Sequence, residues 1–400
     1  MKKKFWALLL ALAMLALAGC VDDGPTTMVD LRFDEGDSLA LRQGWYLEDG
    51  SCLLYGDYVG AKGRQGRLYR LDKPGGEPAC VWPQAGDWFA LEDELLAYYL
   101  PGQQTAVLSN QTRHEFLLVD VTPGKTYDTP QGNRQEVALP RVKLQGDLEL
   151  CLWLGQDDYL LGRNVYGDDG EPRAVQLSHL YGTQGQEIPL EDLPGRICDV
   201  KVDQERNRLL VLSNLGGLVT VDLSEEPNIR GNIFNCVQDW PTPSPFNEYR
   251  GVWPVQAAKG DYVVLESSCE DGIYYQVVDL DGDELGVYKA ATEKGGGLLA
   301  AYGHAIYVVE YSPEEAETAT DVLPGCHFEL MMFDFVSWEA YTINSGGYGG
   351  RPQENLDSPQ RFGLASGAIS PDGKEMLWFC WEYVTARYHF PDSIPVGGLR

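Results

Sequence analysis

Basic residues are scarce in this chain. Its 31 lysines and arginines stand against 60 aspartates and glutamates, for a formal net charge of −29. So acidic a surface repels nucleic-acid phosphates and anionic lipid headgroups, and neither is expected as a partner. The charge reads first as solubility and mutual repulsion, with attraction to a basic partner or to cations as the sharper alternative. Histidine is equally thin. The five (His114, His179, His304, His327, His389) show no ligand spacing, and no Cys-x-x-Cys occurs, so no metal site and no cofactor is expected. No amphipathic helical period persists beyond the first twenty residues. Several catalytic signatures are missing: the Gly-x-Ser-x-Gly elbow, the Walker phosphate loop, the His-Glu-x-x-His zinc motif and the repeated Ser-x-Asp-x-Gly-x-x-Trp box. The stretch "DLDGDELG" (Asp279 to Gly286) fails as a calcium loop. Glu284 stands where the loop needs glycine and Ala290 where it needs glutamate, so the segment reads as a hairpin.

What is present begins with the leader. Lys2, Lys3 and Lys4 precede an unbroken apolar run, Phe5 to Leu17, followed by Ala18, Gly19 and Cys20. A positive start, a short apolar run and small residues make a secretory signal peptide, too short for a comfortable span. "LAGC" (Leu17 to Cys20) resembles a bacterial lipobox. That resemblance implies cleavage before Cys20, lipid on its sulfur, and anchoring without spanning. The expected organisation is residues 1–19 as signal peptide, 20–27 as a short lipidated tether and 28–400 as one domain. It would be exported, on the outer face of the cell membrane or the periplasmic side of an envelope membrane.

The rest of the chain reads as strands. Short runs rich in Val, Leu, Tyr and Trp alternate with Gly, Asp, Asn and Pro, and 45 glycines supply many turns. A tight polar turn before an apolar strand recurs at Leu47, Leu91, Gly155, Val202, Ala258, Tyr302 and Ser370. Most copies continue into a second strand that ends near an aspartate. Each unit reads as four strands, a to d. One twisted four-stranded sheet cannot bury both its faces, whereas sheets packed around an axis bury each other's. The expectation is an all-β propeller of seven four-stranded blades, six or eight remaining open. Its clearest turn, "SPDGK" (Ser370 to Lys374), resembles the WD40-like repeats of TolB-type bacterial propellers. The last unit lacks a fourth strand, and "MVDLRF" (Met28 to Phe33) is expected to supply it.

In a propeller the a–b and c–d turns share one face, and the b–c and d–a loops share the other. The long connections fall on the second face: Asn235 to Pro254, Asn344 to Gly363, Tyr311 to Phe328, Leu100 to His114 and Arg163 to Arg173. The first two interleave Trp240, Phe246, Tyr249, Trp253 and Tyr348 with Arg250, Arg351 and Arg361. Aromatic faces stack on sugars or peptide side chains, and arginines clamp carboxylates. This rim is the expected binding site for a protein, peptide or glycan. The alternative is that these aromatics pack under their own loops. A different function, a carbohydrate-active hydrolase or lyase, would need two carboxylates facing each other in the channel. Asp87, Glu149 and Asp199, expected on innermost strands, are its candidates. Eight cysteines besides Cys20 leave disulfides open, with free buried thiols as the simpler reading.

Overall fold

The computed structural model describes residues 26–28, 38–60, 63–71, 79–82, 95–112, 114–122, 134–138, 148–182, 185–223, 233–235, 248–269, 272–280, 283–290, 295–313, 326–348, 365–380 and 384–390. These form seven four-stranded antiparallel sheets. The first strand, β1 (Thr26–Met28), belongs to the last of them. Sheet I holds β2 (Ser38–Tyr46), β3 (Cys52–Gly60), β4 (Gly63–Leu71) and β5 (Ala79–Trp82). Sheet II holds β6 (Leu95–Leu100), β7 (Thr105–Asn110), β8 (Glu115–Asp120) and β9 (Arg134–Ala138). Sheet III holds β10 (Leu148–Gly155), β11 (Asp158–Tyr166), β12 (Pro172–Tyr181) and β13 (Gln186–Pro194). Sheet IV holds β14 (Ile197–Asp203), β15 (Arg208–Ser213), β16 (Gly217–Asp222) and β17 (Ile233–Asn235). Sheet V holds β18 (Glu248–Pro254), β19 (Tyr262–Cys269), β20 (Gly272–Asp279) and β21 (Glu284–Lys289). Sheet VI holds β22 (Gly295–Tyr302), β23 (Ala305–Pro313), β24 (Cys326–Asp334) and β25 (Glu339–Tyr348). Sheet VII holds β26 (Ala365–Ile369), β27 (Glu375–Cys380), β28 (Val384–His389) and β1.

The apolar clusters close these sheets into a ring. Sheets I and II share a core around Trp45, Tyr55, Tyr99 and Leu117. A second runs through sheets II, III and IV, from Tyr98 through Cys151 and Leu161 to Leu209. Val252 and Leu265 join sheets IV and V, Val277 and Ile306 join V and VI, and Leu330 and Trp378 join VI and VII. Leu377 packs against Tyr46, Cys52 and Leu54, which returns the ring from sheet VII to sheet I. Strand β15, "RLLVLS", shows why the pattern is continuous rather than alternating. Leu209 and Val211 face one neighbouring sheet, Leu210 and Leu212 the other, and all four are fully buried. Each such side chain contributes about 1.5–3 kcal/mol relative to exposure. The architecture is an all-β propeller.

Each a–b turn carries one residue of left-handed backbone: Gly50, Gln104, Asp157, Asn207, Ala257, Gly303 and Gly373. At the "SPDGK" turn, Ser370 Oγ donates to Asp372 Oδ1 (2.7 Å) and accepts from the Glu375 N–H (2.9 Å). Gly373 closes the turn with φ +70° and an N–H bond to the Ser370 carbonyl (2.8 Å). The turn "LEDGS" of sheet I repeats this arrangement through Asp49, Gly50 and Ser51. The "DLDGDELG" segment is a c–d hairpin, with the Asp283 N–H bonded to Asp279 Oδ1 (2.8 Å).

Sheet II corrects the sequence register. "LLAYYL", expected to be a second strand, is the inner strand β6, and Pro101–Gln104 form the a–b turn. The Leu100 to His114 segment is therefore no long loop: it contains β7 and two tight turns. Arg163 to Arg173 is a hairpin, because β11 extends to Tyr166 and β12 resumes at Pro172. The N-terminal strand does complete the last sheet, with β1 pairing β28 antiparallel, Thr26 opposite Tyr388 and Met28 opposite Ala386. It begins two residues earlier than expected, and residues 29–33 lie outside the described residues. Cys151 and Cys198 are free thiols.

Candidate functional site

The inner strands β2, β6, β14, β18, β22 and β26 end around a cavity of about 520 Å³. Its lining comes from their last residues and the turns that follow, so it opens on the face of the a–b turns. The wall made by sheets VI, VII and I includes a run of small residues: Ala300, Ala301, Gly367, Ala368 and Gly44. Side chains this short leave space that larger ones would fill in a close-packed interior. The opposite wall, from sheets IV and V, carries Lys201, Gln204, Glu205, Trp253 and Gln256. Trp45, Tyr99 and Tyr302 supply further aromatic surface.

Local rules position these groups. Inner strands in five sheets carry a register shift, at Arg42, Glu149, Cys198, Arg250 and Leu299. Such a bulge bends the strand and re-aims its side chains. Side chains of one sheet accept backbone N–H groups from the inner strand of the next. Gln111 Oε1 accepts from the Cys151 N–H (2.8 Å), Glu149 Oε1 from Ile197 (2.7 Å) and Asp199 Oδ2 from Val252 (2.9 Å). Sheets V and VI are clipped directly, by Gln256 N–H to the Ala301 carbonyl (3.1 Å) and Gly303 N–H to the Gln256 carbonyl (2.7 Å).

Trp253 folds back over Gly251, so closely that a Cβ at Gly251 would sit 2.6 Å from its Cζ3. Lys201 Nζ lies 6.0 Å from the Trp253 ring centre and 3.6 Å from Asp199 Oδ1. Behind them, Glu266 on β19 stands opposite Gly251. Burial pushes its carboxyl up to about 7, and Asp199 pushes the same way, while Arg250 and Lys201 oppose. Two arginines lock the turn beside the mouth. Arg208 reaches Asp203 (Nε to Oδ2, 3.0 Å) and Asp261 (Nη1 to Oδ2, 2.7 Å). Arg206 donates to the carbonyls of Val255 (3.3 Å) and Gly260 (3.0 Å). Glu205 Oε2 accepts from the Ala257 N–H (2.6 Å).

The sequence-predicted residues divide as follows. Trp253 reaches the cavity wall, from strand β18 rather than from a loop. Tyr249 is on the same strand and buried, and Arg250 occupies its bulge, half exposed, 3.9 Å from Glu248. Tyr348 ends β25. Cys20, Asp87, Trp240, Phe246, Arg351 and Arg361 lie outside the described residues. Of the carboxylates named for glycoside chemistry, Glu149 and Asp199 sit on inner strands as expected, and both accept backbone N–H groups from the next sheet. Among the described residues no group of His, Cys, Asp and Glu could hold a metal ion, and no helix is long and apolar enough to cross a membrane. The sequence reading missed the cavity. Its signal was the run of small residues ending two inner strands, "GGGLLAAY" (Gly295–Tyr302) and "ASGAI" (Ala365–Ile369).

The ring, its inner strands and its central cavity define a β-propeller. No family model matches the chain, and no curated protein does. Solved structures of similar course include the WD40 domain of SCAP from fission yeast, at TM-score 0.47 and 9% identity over 91% of this chain and 95% of that one. The WD40 β-propeller domain of Doa1 matches at 0.43 and 12%, over 92% and 98%. The C-terminal WD40 domain of Sif2 matches at 0.42 and 14%, over 91% and 100%. These likenesses are to architecture, and they transfer no ligand.

Proposed function

We propose that the chain is an exported bacterial lipoprotein, similar in build to TolB-type propellers, that binds a peptide segment of a partner protein in its central cavity. The lysine-led apolar leader and the "LAGC" motif support lipidation at Cys20 and placement on the outer face of the cell membrane or the periplasmic side of an envelope membrane. The cavity carries the binding reading. It is open, about 520 Å³, and lined by aromatics (Trp45, Tyr99, Trp253, Tyr302) interspersed with small apolar residues. Such a space accepts one or two apolar side chains, and polar groups at its edge fix orientation. The start of β1 and the mouth of the cavity share a face. Strand β1 enters beside His389, whose Nδ1 lies 3.2 Å from Glu375, and Phe390 bonds to Lys374 of the "SPDGK" turn. The chain thus enters the ring from the a–b turn side, and a bound partner would be close to the membrane.

Two measurements test this. Mass spectrometry of the cell-derived protein is expected to show a lipid-modified Cys20 as the first residue. A random-peptide display library on the immobilised chain is expected to yield binders, and Gln43→Trp, which fills the cavity from a half-exposed position, is expected to abolish their binding. Binders indifferent to Gln43→Trp, or a glycan array that binds where peptides do not, would overturn the reading.

A further inference from the structure

The face around the cavity is acidic. Its described a–b turns (residues 47–51, 101–104, 156–157, 204–207, 255–261, 303–304 and 370–374) hold six acids: Glu48, Asp49, Asp157, Glu205, Asp261 and Asp372. They hold three bases, Arg206, Lys259 and Lys374. Two of these acids are held by cations, Asp49 by Arg70 (2.7 Å) and Asp261 by Arg208 and Arg206 (Nε to Oδ1, 3.4 Å). Glu205 and Asp372 keep looser partners, Arg206 at 3.8 Å and the 80% exposed Lys374 at 3.9 Å. Lys201, on the cavity wall, is held by Asp199. Glu48 is exposed and makes no ion pair among the described residues.

The acids also act on the lining itself. Burial, then Glu48 and Asp49, push the Tyr99 phenol up to about 12. Burial, then Glu205 and Asp372, raise that of Tyr302. Glu48 and Glu205 line the cavity themselves, and Asp372 follows the lining residue Pro371. An apolar pocket under a negative collar selects a ligand with an apolar anchor and a positive flank. The net charge of −29 adds to the bias.

Given the peptide-binding reading above, on which this rests, we propose that the occupant is a basic segment of a partner protein. An apolar side chain of that segment enters the cavity, and flanking lysines or arginines lie against Glu48, Glu205 and Asp372. The acids set the encounter rate and the choice of partner, while the cavity sets residence time.

The probe is the same random-peptide library, selected on the purified full chain at low ionic strength and sequenced. The expected binders carry lysine or arginine within two residues of a large apolar residue. Raising salt from about 20 to 300 mM, which shortens the screening length severalfold, is expected to weaken them about tenfold or more. The triple variant Glu48→Gln, Glu205→Gln, Asp372→Asn is expected to weaken them to a similar degree. Each replacement keeps its acceptor oxygen, so the Ala257 and Lys374 N–H bonds are preserved. If that triple variant melts early, Glu48→Gln alone, at an exposed position without a bond to lose, is expected to weaken binding two- to threefold. Gln204→Trp stands in for Gln43→Trp on the same logic. The two ideas fail differently. Binders that Gln43→Trp blocks, but that lack basic enrichment and ignore salt and charge variants, leave the cavity reading intact and refute the basic partner. Selection that returns no cavity-dependent binder at all refutes the peptide reading itself.

Discussion

Replacing Glu266 with glutamine should make the protein more stable above neutral pH and leave it unchanged in acid. Glu266 sits on β19 opposite Gly251, a position with no side chain to shield it, under the folded-back ring of Trp253. Burial is the largest influence on its carboxyl, Asp199 adds to it, and Arg250 and Lys201 offset only part. The folded protein therefore holds this proton up to about 7, whereas the unfolded chain releases it near 4.5. Between those values the folded state binds more protons than the unfolded state, so stability falls as pH rises through the window. The difference corresponds to a destabilisation of about 3 kcal/mol, complete above pH 7. Glutamine keeps the shape and the acceptor oxygen and never ionises.

The assay is guanidinium unfolding of both proteins at pH 4.5, 5.5, 6.5, 7.5 and 8.5. The expected result is coincident midpoints in acid and a gap that opens with pH and levels off above 7, with Glu266→Gln the more stable. A gap of constant size across the series would refute the argument, since a purely steric effect of the substitution has no pH dependence. A wild type more stable than the variant at pH 8.5 would refute it differently, by showing that Arg250 and Lys201 outweigh burial.

Three other changes follow from the same geometry. Gly251→Ala puts a Cβ into the Trp253 ring and should cost about 1–3 kcal/mol while displacing the ring, read as a change in tryptophan emission and in the unfolding midpoint. Arg208→Met strips Asp203, which is fully buried, of its nearest ion pair and should cost about 3 kcal/mol; the double variant with Asp203→Asn should recover much of the loss, and a strictly additive cycle would contradict the pairing. Removing Thr26–Met28 leaves β28 as an open edge and should lower the melting temperature by many degrees in calorimetry; an unchanged transition would mean that the ring closes without β1.

The architecture was legible because a propeller repeats itself. Seven polar turns before apolar strands mark it, and the missing fourth strand of the last unit pointed to the N-terminus. The register failed at sheet II for an identifiable reason. Each a–b turn needs one left-handed residue, and glycine, aspartate or asparagine advertise it at Gly50, Asp157, Asn207, Gly303 and Gly373. Ala257 of sheet V carries no such signal either, but Gly260 and Asp261 mark that turn; at sheet II the residue is Gln104, and "LEDE" upstream looks like the turn instead. The cavity was harder. Long loops draw attention because they bring nothing to a core, yet a cavity is made by what is absent. Ala300, Ala301, Gly367 and Ala368 read as ordinary strand residues until the ring places them around one axis. Trp253 was expected on a loop and lies on β18: the proline-rich stretch before it hides where that strand begins. Glu149 and Asp199 were placed on the inner strands correctly, but the backbone N–H groups of the next sheet that they accept show only in three dimensions.

The same topology sets a physical tension at the membrane. Only six Cα–Cα steps separate Cys20 from Thr26, about 20 Å at full extension, and Thr26 lies at the a–b turn face. On the proposed anchoring, the acidic cavity mouth is tethered next to headgroups that, where anionic, repel it. The acyl chains dominate the contest, because each buried methylene contributes about 0.8 kcal/mol, while the repulsion decays over a screening length of about 8 Å at physiological salt. The domain is then held at the surface but not pressed against it. A gap of that kind admits an extended basic segment of a membrane-bound partner, which is attracted by the same carboxylates that keep the lipid away. Neutralising Glu48, Glu205 and Asp372 should therefore have two effects of opposite sign: weaker peptide binding, and closer approach of the propeller to anionic vesicles that carry the lipidated protein, measurable by energy transfer from its tryptophans to a headgroup dye.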